Sequence, residues 1–313
     1  MSYDLANHTW RTLSDDLYIG SHKIQEIYVG SHKIYPENVF EGKWIPKSWN
    51  YPDGDPFEID TRQLFSSGGN IYYYDKTNEK CYILDKETDS WNFVQMRIQV
   101  YYAIGTTGFT NRFYLAGVFT LNGITFGMRT NTAYPDYGPQ WSVVWFNNSD
   151  LTWYIYEWTG DIKPYIQNSE DIWTDGIDQY ITLSNKNYKY TNSHSWEEVT
   201  FQNSFVVSTP ALVWNDNFNT YYSTISRNGY KFDRSSLLWA PKRFNKTADG
   251  MFIWNFNGIS YYTTMYKFDS ENETWDDADF DVSQAPDLQD SFTAYSVWTD
   301  GTNAYYSNKY VLT

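Results

Sequence analysis

Three stretches of the chain share one frame: "YILDKETDSW" (82–91), "YKFDRSSLLW" (230–239) and "YKFDSENETW" (266–275). Each reads aromatic, any residue, apolar, Asp, five residues, then Trp. "VWFNNSDLTW" (144–153) and "YPENVFEGKW" (35–44) keep the spacing with Asn147 and Asn38 at the polar position, and "YKYTNSHSW" (188–196) is one residue shorter. Upstream of the later copies stand paired aromatic strands around polar turns, as in "DGIDQYITLSNKNYKY" (175–190) and "NFNGISYYTTMYKF" (255–268). Alternating aromatic and polar residues mark half-buried strands. Asp-Gly and Asn-Gly supply the residues that tolerate positive φ in tight hairpins. Fixed-period repetition constrains a fold more than any local propensity does.

From Trp44 through Trp91, Trp153, Trp196 and Trp239 to Trp275 the intervals are 47, 62, 43, 43 and 36 residues. A period of roughly 40–50 residues with about four short strands each predicts an all-β chain folded as a β-propeller. "YSVWTDGTNAYYSNKYVLT" (295–313) supplies the first strands of a unit but no Trp strand. Because propellers avoid open sheet edges, the missing strand is expected from "EGKWIPKSW" (41–49), with Trp44 closing a ring of six blades. Asp4 and Trp10 repeat the spacing once more, so seven blades remain the alternative. The 62-residue interval calls for an insertion, which "LNGITFGMRTNTAYPDYGPQW" (121–141) could supply as a projecting loop. The unit resembles the blade of kelch-type propellers over most of residues 37–313, although only Gly68-Gly69 provides a Gly-Gly doublet.

Residues 1–36 read differently. Tyr18-Ile19-Gly20-Ser21-His22-Lys23-Ile24 returns ten residues later as Tyr28-Val29-Gly30-Ser31-His32-Lys33-Ile34. Short strands broken by Gly-Ser turns predict a small β-meander, too small to bury a core without a partner. Docking through Tyr18, Ile19, Gly20, Ile24, Ile27, Tyr28, Val29, Gly30, Ile34 and Tyr35 is the expectation, with His22 and His32 read as by-products of duplication rather than metal ligands. Residues 12–36 resemble the "…IG…KI..IY.G..KIYP" segments that precede diverse domains in bacteriophage structural proteins, chiefly of phages infecting Gram-positive hosts. In such proteins the amino-terminal part anchors to the virion and the carboxy-terminal domain faces outward. The resemblance therefore implies a virion appendage on tail, neck or head. It would assemble in the host cytoplasm, be oligomeric in the particle, contact other virion proteins through residues 1–36, and contribute to receptor binding in host attachment.

Charge and composition narrow the partners. A net charge of −15 repels phosphate backbones and anionic lipid, so nucleic acid is not an expected partner. No apolar run is long enough for a membrane-spanning helix, and "MSYDLANHTW" lacks the features of a secretory signal. Cys81 is the single cysteine, so no disulfide forms within the chain and no Cys-rich metal site is expected. Aromatic residues make up 20% of the chain, more than buried strands alone require. Tyr134, Tyr137 and Trp141 are the candidate ligand-binding residues, since large flat rings suit sugar faces and protein surfaces alike.

Catalytic patterns are absent. Copper radical oxidases of kelch-like fold need a Cys cross-linked to Tyr together with His ligands, but Cys81 precedes Tyr82 on a regular predicted strand. The "WTDG" stretches at 173–176 and 298–301 suggest hairpin turns rather than sialidase boxes. Asp53 and Asp55, and Asp276, Asp277, Asp279 and Asp281, lack calcium-loop spacing. The expectation is a non-enzymatic protein without cofactor or metal. The alternatives are a glycan-active hydrolase with carboxylates at the propeller mouth, or an intracellular interaction scaffold.

Overall fold

The computed structural model describes short segments within residues 2–35 and most of residues 42–313, with 131–140 the longest stretch outside the description. The chain forms two compact units, Met1–Lys43 with Thr313, and Trp44–Leu312.

The larger unit is a six-bladed β-propeller. Blade one is the antiparallel meander Leu64–Ser67, Asn70–Asp75, Lys80–Asp85 and Ser90–Val94. Blade two has Leu115–Leu121, Ile124–Thr130, Trp141–Asn147 and Thr152–Tyr156. Blade three has Ile172–Thr174, Gln179–Leu183, Lys186–Tyr190 and Trp196–Val199. Blade four has Val213–Asn215, Thr220–Ser223, Asn228–Asp233 and Leu238–Arg243, and blade five Ile253–Phe256, Ile259–Tyr262, Tyr266–Asp269 and Thr274–Asp277. Blade six joins Val297–Thr299, Ala304–Tyr306 and Tyr310–Leu312 to Trp44–Pro46, with Leu312 opposite Trp44. The ring closes on Trp44 as the spacing predicts. Trp10 takes no part in it: Ser2–Asp4 and Thr9–Arg11 form a hairpin of their own, and the seven-blade alternative falls.

Local chemistry explains the outer hairpins. Asp85 accepts the Glu87 amide at 3.0 Å and the Thr88 hydroxyl at 2.7 Å, Asp233 accepts Ser235 and Ser236, and Asp269 accepts Glu271 and Asn272. Each is an Asx turn, the role that Asp and Asn perform better than other residues. Four residues after each Asp the chain turns through positive φ, at Asp89, Leu237 and Glu273, and two residues later places the Trp in the last strand. The five-residue gap is therefore the length of one turn. It is not a ligand motif.

Burial is divided among six aromatic wedges between neighbouring blades rather than gathered in one centre. Trp44, Trp91, Trp153 and Trp239 are wholly buried, and Trp275 nearly so. Each packs against the first strand of the preceding blade: Trp239 meets Trp173 at 5.5 Å, Trp275 meets Trp214 at 5.2 Å, Trp153 meets Phe65 at 5.3 Å, Trp44 meets Trp254 at 5.9 Å and Trp91 meets Trp298 at 5.8 Å. A large ring at one position per blade thus fastens two sheets together. Gly229 permits close approach in blade four, since a Cβ there would lie 2.5 Å from the Tyr222 carbonyl oxygen and 2.8 Å from the Phe244 ring.

Of the stretch 121–141, residues 131–140 lie outside the description, and what flanks them is regular sheet. Ile124–Thr130 and Trp141–Asn147 are regular strands of blade two, paired from Phe126 opposite Trp145 to Thr130 opposite Trp141. The added structure is a hairpin, Arg97–Tyr101 and Thr107–Thr110, which widens blade two to six strands. Arg97–Tyr101 joins the outer strand in parallel, Arg97 opposite Thr152 and Ile98 opposite Trp153.

In the smaller unit, Tyr18–Ile19 pairs with His22–Lys23 and Ile27–Val29 with His32–Tyr35. The short strands expected there are present, as two separate hairpins rather than one meander.

Candidate functional site

Strand alternation assigns every connection to one of two faces of the propeller. The turns from first to second and from third to fourth strand share one face, and among the described strands they span two to five residues, such as 68–69, 122–123, 86–89 and 191–195. All six links between blades emerge on the other face, at 47–63, 95–114, 157–171, 200–212, 244–252 and 278–296. Loops positioned by a rigid scaffold are where binding residues concentrate, and here they share one side.

The short-turn face is fastened by contacts between blades. Arg234 of blade four reaches the turn of blade three, 2.8 Å from Asp175 and 3.1 Å from Asp178, and Lys189 also pairs with Asp178 at 2.8 Å. Burial raises the Asp178 carboxyl, but Lys189 and Arg234 outweigh it and hold the group below its ordinary range. Lys231 and Lys242 of blade four both engage Glu273 of blade five. The Asp-Gly turns also anchor inner-strand tyrosines: Tyr180 donates to Asp175 at 3.0 Å and Tyr305 to Asp300 at 2.9 Å. "WTDG" is a hairpin turn at both places, as the sequence suggests. These groups hold the ring together.

On the long-loop face a pocket of about 480 Å³ is lined by Glu58, Asp60, Arg62, Tyr73, Asp75 and Lys76, among others. Its carboxylates are already engaged. Glu58 pairs with Lys309 at 2.8 Å and Asp60 with Arg62 at 2.8 Å, while Asp75 accepts the Thr77 amide and the Asn78 side chain. Tyr73 donates to the Glu58 carbonyl at 2.8 Å, and its phenol is pushed up to about 12, chiefly by burial. An acid–base pair for hydrolysis needs one carboxyl kept protonated beside an ionised one. Here each carboxylate instead has a cation or a turn donor of its own. Among the described residues no group of three or more His, Cys, Asp or Glu is placed to hold a metal ion. Cys81 is buried in the wedge between blades one and two, where desolvation pushes its thiol strongly upward, and Tyr82 faces the wedge on the other side of blade one.

Tyr134 and Tyr137 lie outside the described residues, and Trp141 opens a strand of blade two opposite Thr130. Of the docking residues, Tyr18 and Ile19, then Ile27, Tyr28 and Val29, and finally Ile34 and Tyr35 belong to the two hairpins, whereas Gly20, Ile24 and Gly30 lie outside the description. Asp53 and Asp55 lie outside it too. Asp277 pairs with Lys246 at 2.6 Å.

The structure reveals a second regularity beside the Asp…Trp frame. In every blade an aromatic of the first strand faces one of the second, always seven residues on: Phe65 with Tyr72, Phe119 with Phe126, Trp173 with Tyr180, Trp214 with Tyr221, Trp254 with Tyr261 and Trp298 with Tyr305. All six pairs stack, the tightest at 4.1 Å between Trp173 and Tyr180. The pattern aromatic–six residues–aromatic is the signal in the sequence that locates the inner strands.

No family model and no curated protein matches the chain. Among solved structures, a Bacteroides fragilis protein described as exported is 7% identical, with 77% of this chain and 78% of that one covered and a TM-score of 0.38. The extracellular domain described as part of a hybrid two-component system of B. thetaiotaomicron is 9% identical, with 84% of this chain but 35% of that one covered and a TM-score of 0.46.

Proposed function

We propose that the chain is a non-enzymatic component of a bacteriophage virion, held in the particle through its amino-terminal hairpins and presenting the propeller to the host surface. The observation that carries this reading is the sheet topology. The ring closes with Trp44–Pro46, and no described strand within residues 2–35 belongs to a blade. The doubled segment is therefore dispensable for closure, yet hairpins of two to four residues per strand are not stable without something to pack on. That combination suits a docking element, and residues 12–36 are the ones that resemble phage attachment segments. Assembly in the bacterial cytoplasm and an oligomeric state in the particle belong to the same reading. The long loops gathered on one propeller face, and the wide second blade, offer surface for a host glycan or protein.

Mass spectrometry of purified particles tests the reading. The chain is expected among virion proteins, and a version lacking residues 1–36 is expected to fold by circular dichroism yet be missing from particles. Absence of the full chain, or incorporation of the shortened one, would overturn it.

A further inference from the structure

Among the described strands only blade two has six, and its two surfaces are finished differently. Toward blade one the added hairpin is closed in: Ile98 is wholly buried in a wedge with Trp153, Val144 and Leu115. The opposite surface carries a file of side chains across successive strands. It starts in the next wedge with Phe119 and Phe126, both buried, and runs by register through Trp145, Tyr154 and Gln99 to Phe109 at the outer edge. Blade three has four described strands to cover it. Exposure rises along the file. Phe126 is wholly buried, Trp145 and Tyr154 are half-buried, and Phe109 is 48% exposed.

The exposed end is ordered by its own contacts. Trp145 and Tyr154 stack at 5.5 Å with planes 26° apart. Phe109 leans across the Gln99 strand to meet Tyr154 edge-on at 5.9 Å, and the Arg97 guanidinium lies over Phe109 at 5.5 Å. Polar groups border the rings. The Tyr154 hydroxyl donates to Asp150 at 2.6 Å, and Gln99 accepts the Ile155 amide at 3.1 Å, leaving its amide nitrogen to donate.

We propose that this strip, Trp145, Tyr154, Gln99 and Phe109 with Arg97, binds a polysaccharide chain. The inference rests on the reading of the propeller as a host-surface binding module and gives that reading its ligand class. From Trp145 to Phe109 the file crosses three strand intervals, about 14 Å at the usual spacing of strands. A sugar ring has an apolar C–H face and a rim of hydroxyls, and it needs flat rings with donors and acceptors beside them. A protein partner is usually anchored by a side chain inserted into a desolvated pocket. This strip is an open ladder with charged and amide groups at its margin.

Cosedimentation of the full chain with cell walls from the bacterium in which the particles multiply tests this, using walls before and after protease digestion and the released soluble polysaccharide as competitor. Binding should survive protease and be competed by the polysaccharide. Phe109→Ala and Tyr154→Ala should each weaken it at least tenfold, while Phe93→Ala, an exposed ring on blade one, should leave it unchanged. Melting temperatures of the variants near that of the parent guard against unfolding. If the parent binds walls and both strip variants bind equally well, the strip is refuted while the host-binding module stands. Binding abolished by protease refutes the glycan. If the parent binds no walls, the host-binding reading falls and the strip with it.

Discussion

Replacing Trp214 and Trp298 by Phe, one at a time, should give unequal losses of stability despite matched surroundings. Both sit on the first strand of a blade, both are at most 5% exposed, and each stacks on a tyrosine of the next strand at 4.5 and 4.4 Å. Their indole N–H groups differ. Trp298 Nε1 donates to the buried Ser307 carbonyl at 2.6 Å, whereas Trp214 Nε1 has no hydrogen-bond partner among the described residues. Losing part of a ring costs each variant about 1–2 kcal/mol of buried area. At position 298 the change also orphans a buried carbonyl, adding about 1–3 kcal/mol. At position 214 it removes a buried donor with no partner among the described residues, recovering a similar amount. The variants should therefore differ by at least about 2 kcal/mol, or some 4–8 °C in Tm for a unit of this size. Urea unfolding followed by near-ultraviolet circular dichroism, alongside thermal melts, measures this. Equal losses, or a larger loss at Trp214, would refute the assignment of paired and unpaired indoles.

Acid should weaken the ring through its turns. The Thr88, Ser236 and Asn272 side chains, together with nearby amides, hold Asp85, Asp233 and Asp269 below the ordinary carboxylate range. A depressed folded-state value gives stability that is present above the unfolded value, about 4, and lost as pH falls through the folded one. Melting temperature should thus drop progressively below about pH 4, and changing all three residues to Asn should flatten that limb. A Gly229→Ala variant, measured by urea unfolding, should lose about 1–3 kcal/mol, because the added methyl collides with backbone that cannot swing aside. Removing residues 1–41 should shift Tm by only a few degrees, about what 1 kcal/mol does. Removing residues 1–46 takes away the closing strand and Trp44, and should cost upward of about 4 kcal/mol by the usual toll of deleting a buried Trp.

Much of the architecture was legible because its chemistry is local. An Asx turn, a residue at positive φ and a buried Trp must follow one another at fixed distances, so Asp85…Trp91 and Asp269…Trp275 announce their hairpins without tertiary help. The stacked pairs seven residues apart are equally local but harder to see, because Phe65 and Phe119 stand where other blades carry Trp. The candidate site was less legible. Tyr134 and Tyr137, which the surplus of rings singles out, lie outside the described residues, and the file through Trp145, Tyr154 and Phe109 emerges only once strand register is known.

By itself, then, the sequence determined the blade: its strands, its turns and the large ring that each one needs. Only the tertiary structure decided how many blades close the ring, because Leu312 finds Trp44 from the other end of the chain. It alone placed the extra hairpin, since Ile98 lies beside Trp153 in a parallel pairing that no local pattern encodes. It also separated buried rings from exposed ones, because exposure depends on what a neighbouring sheet covers, and blade three is two strands narrower than the blade it packs on.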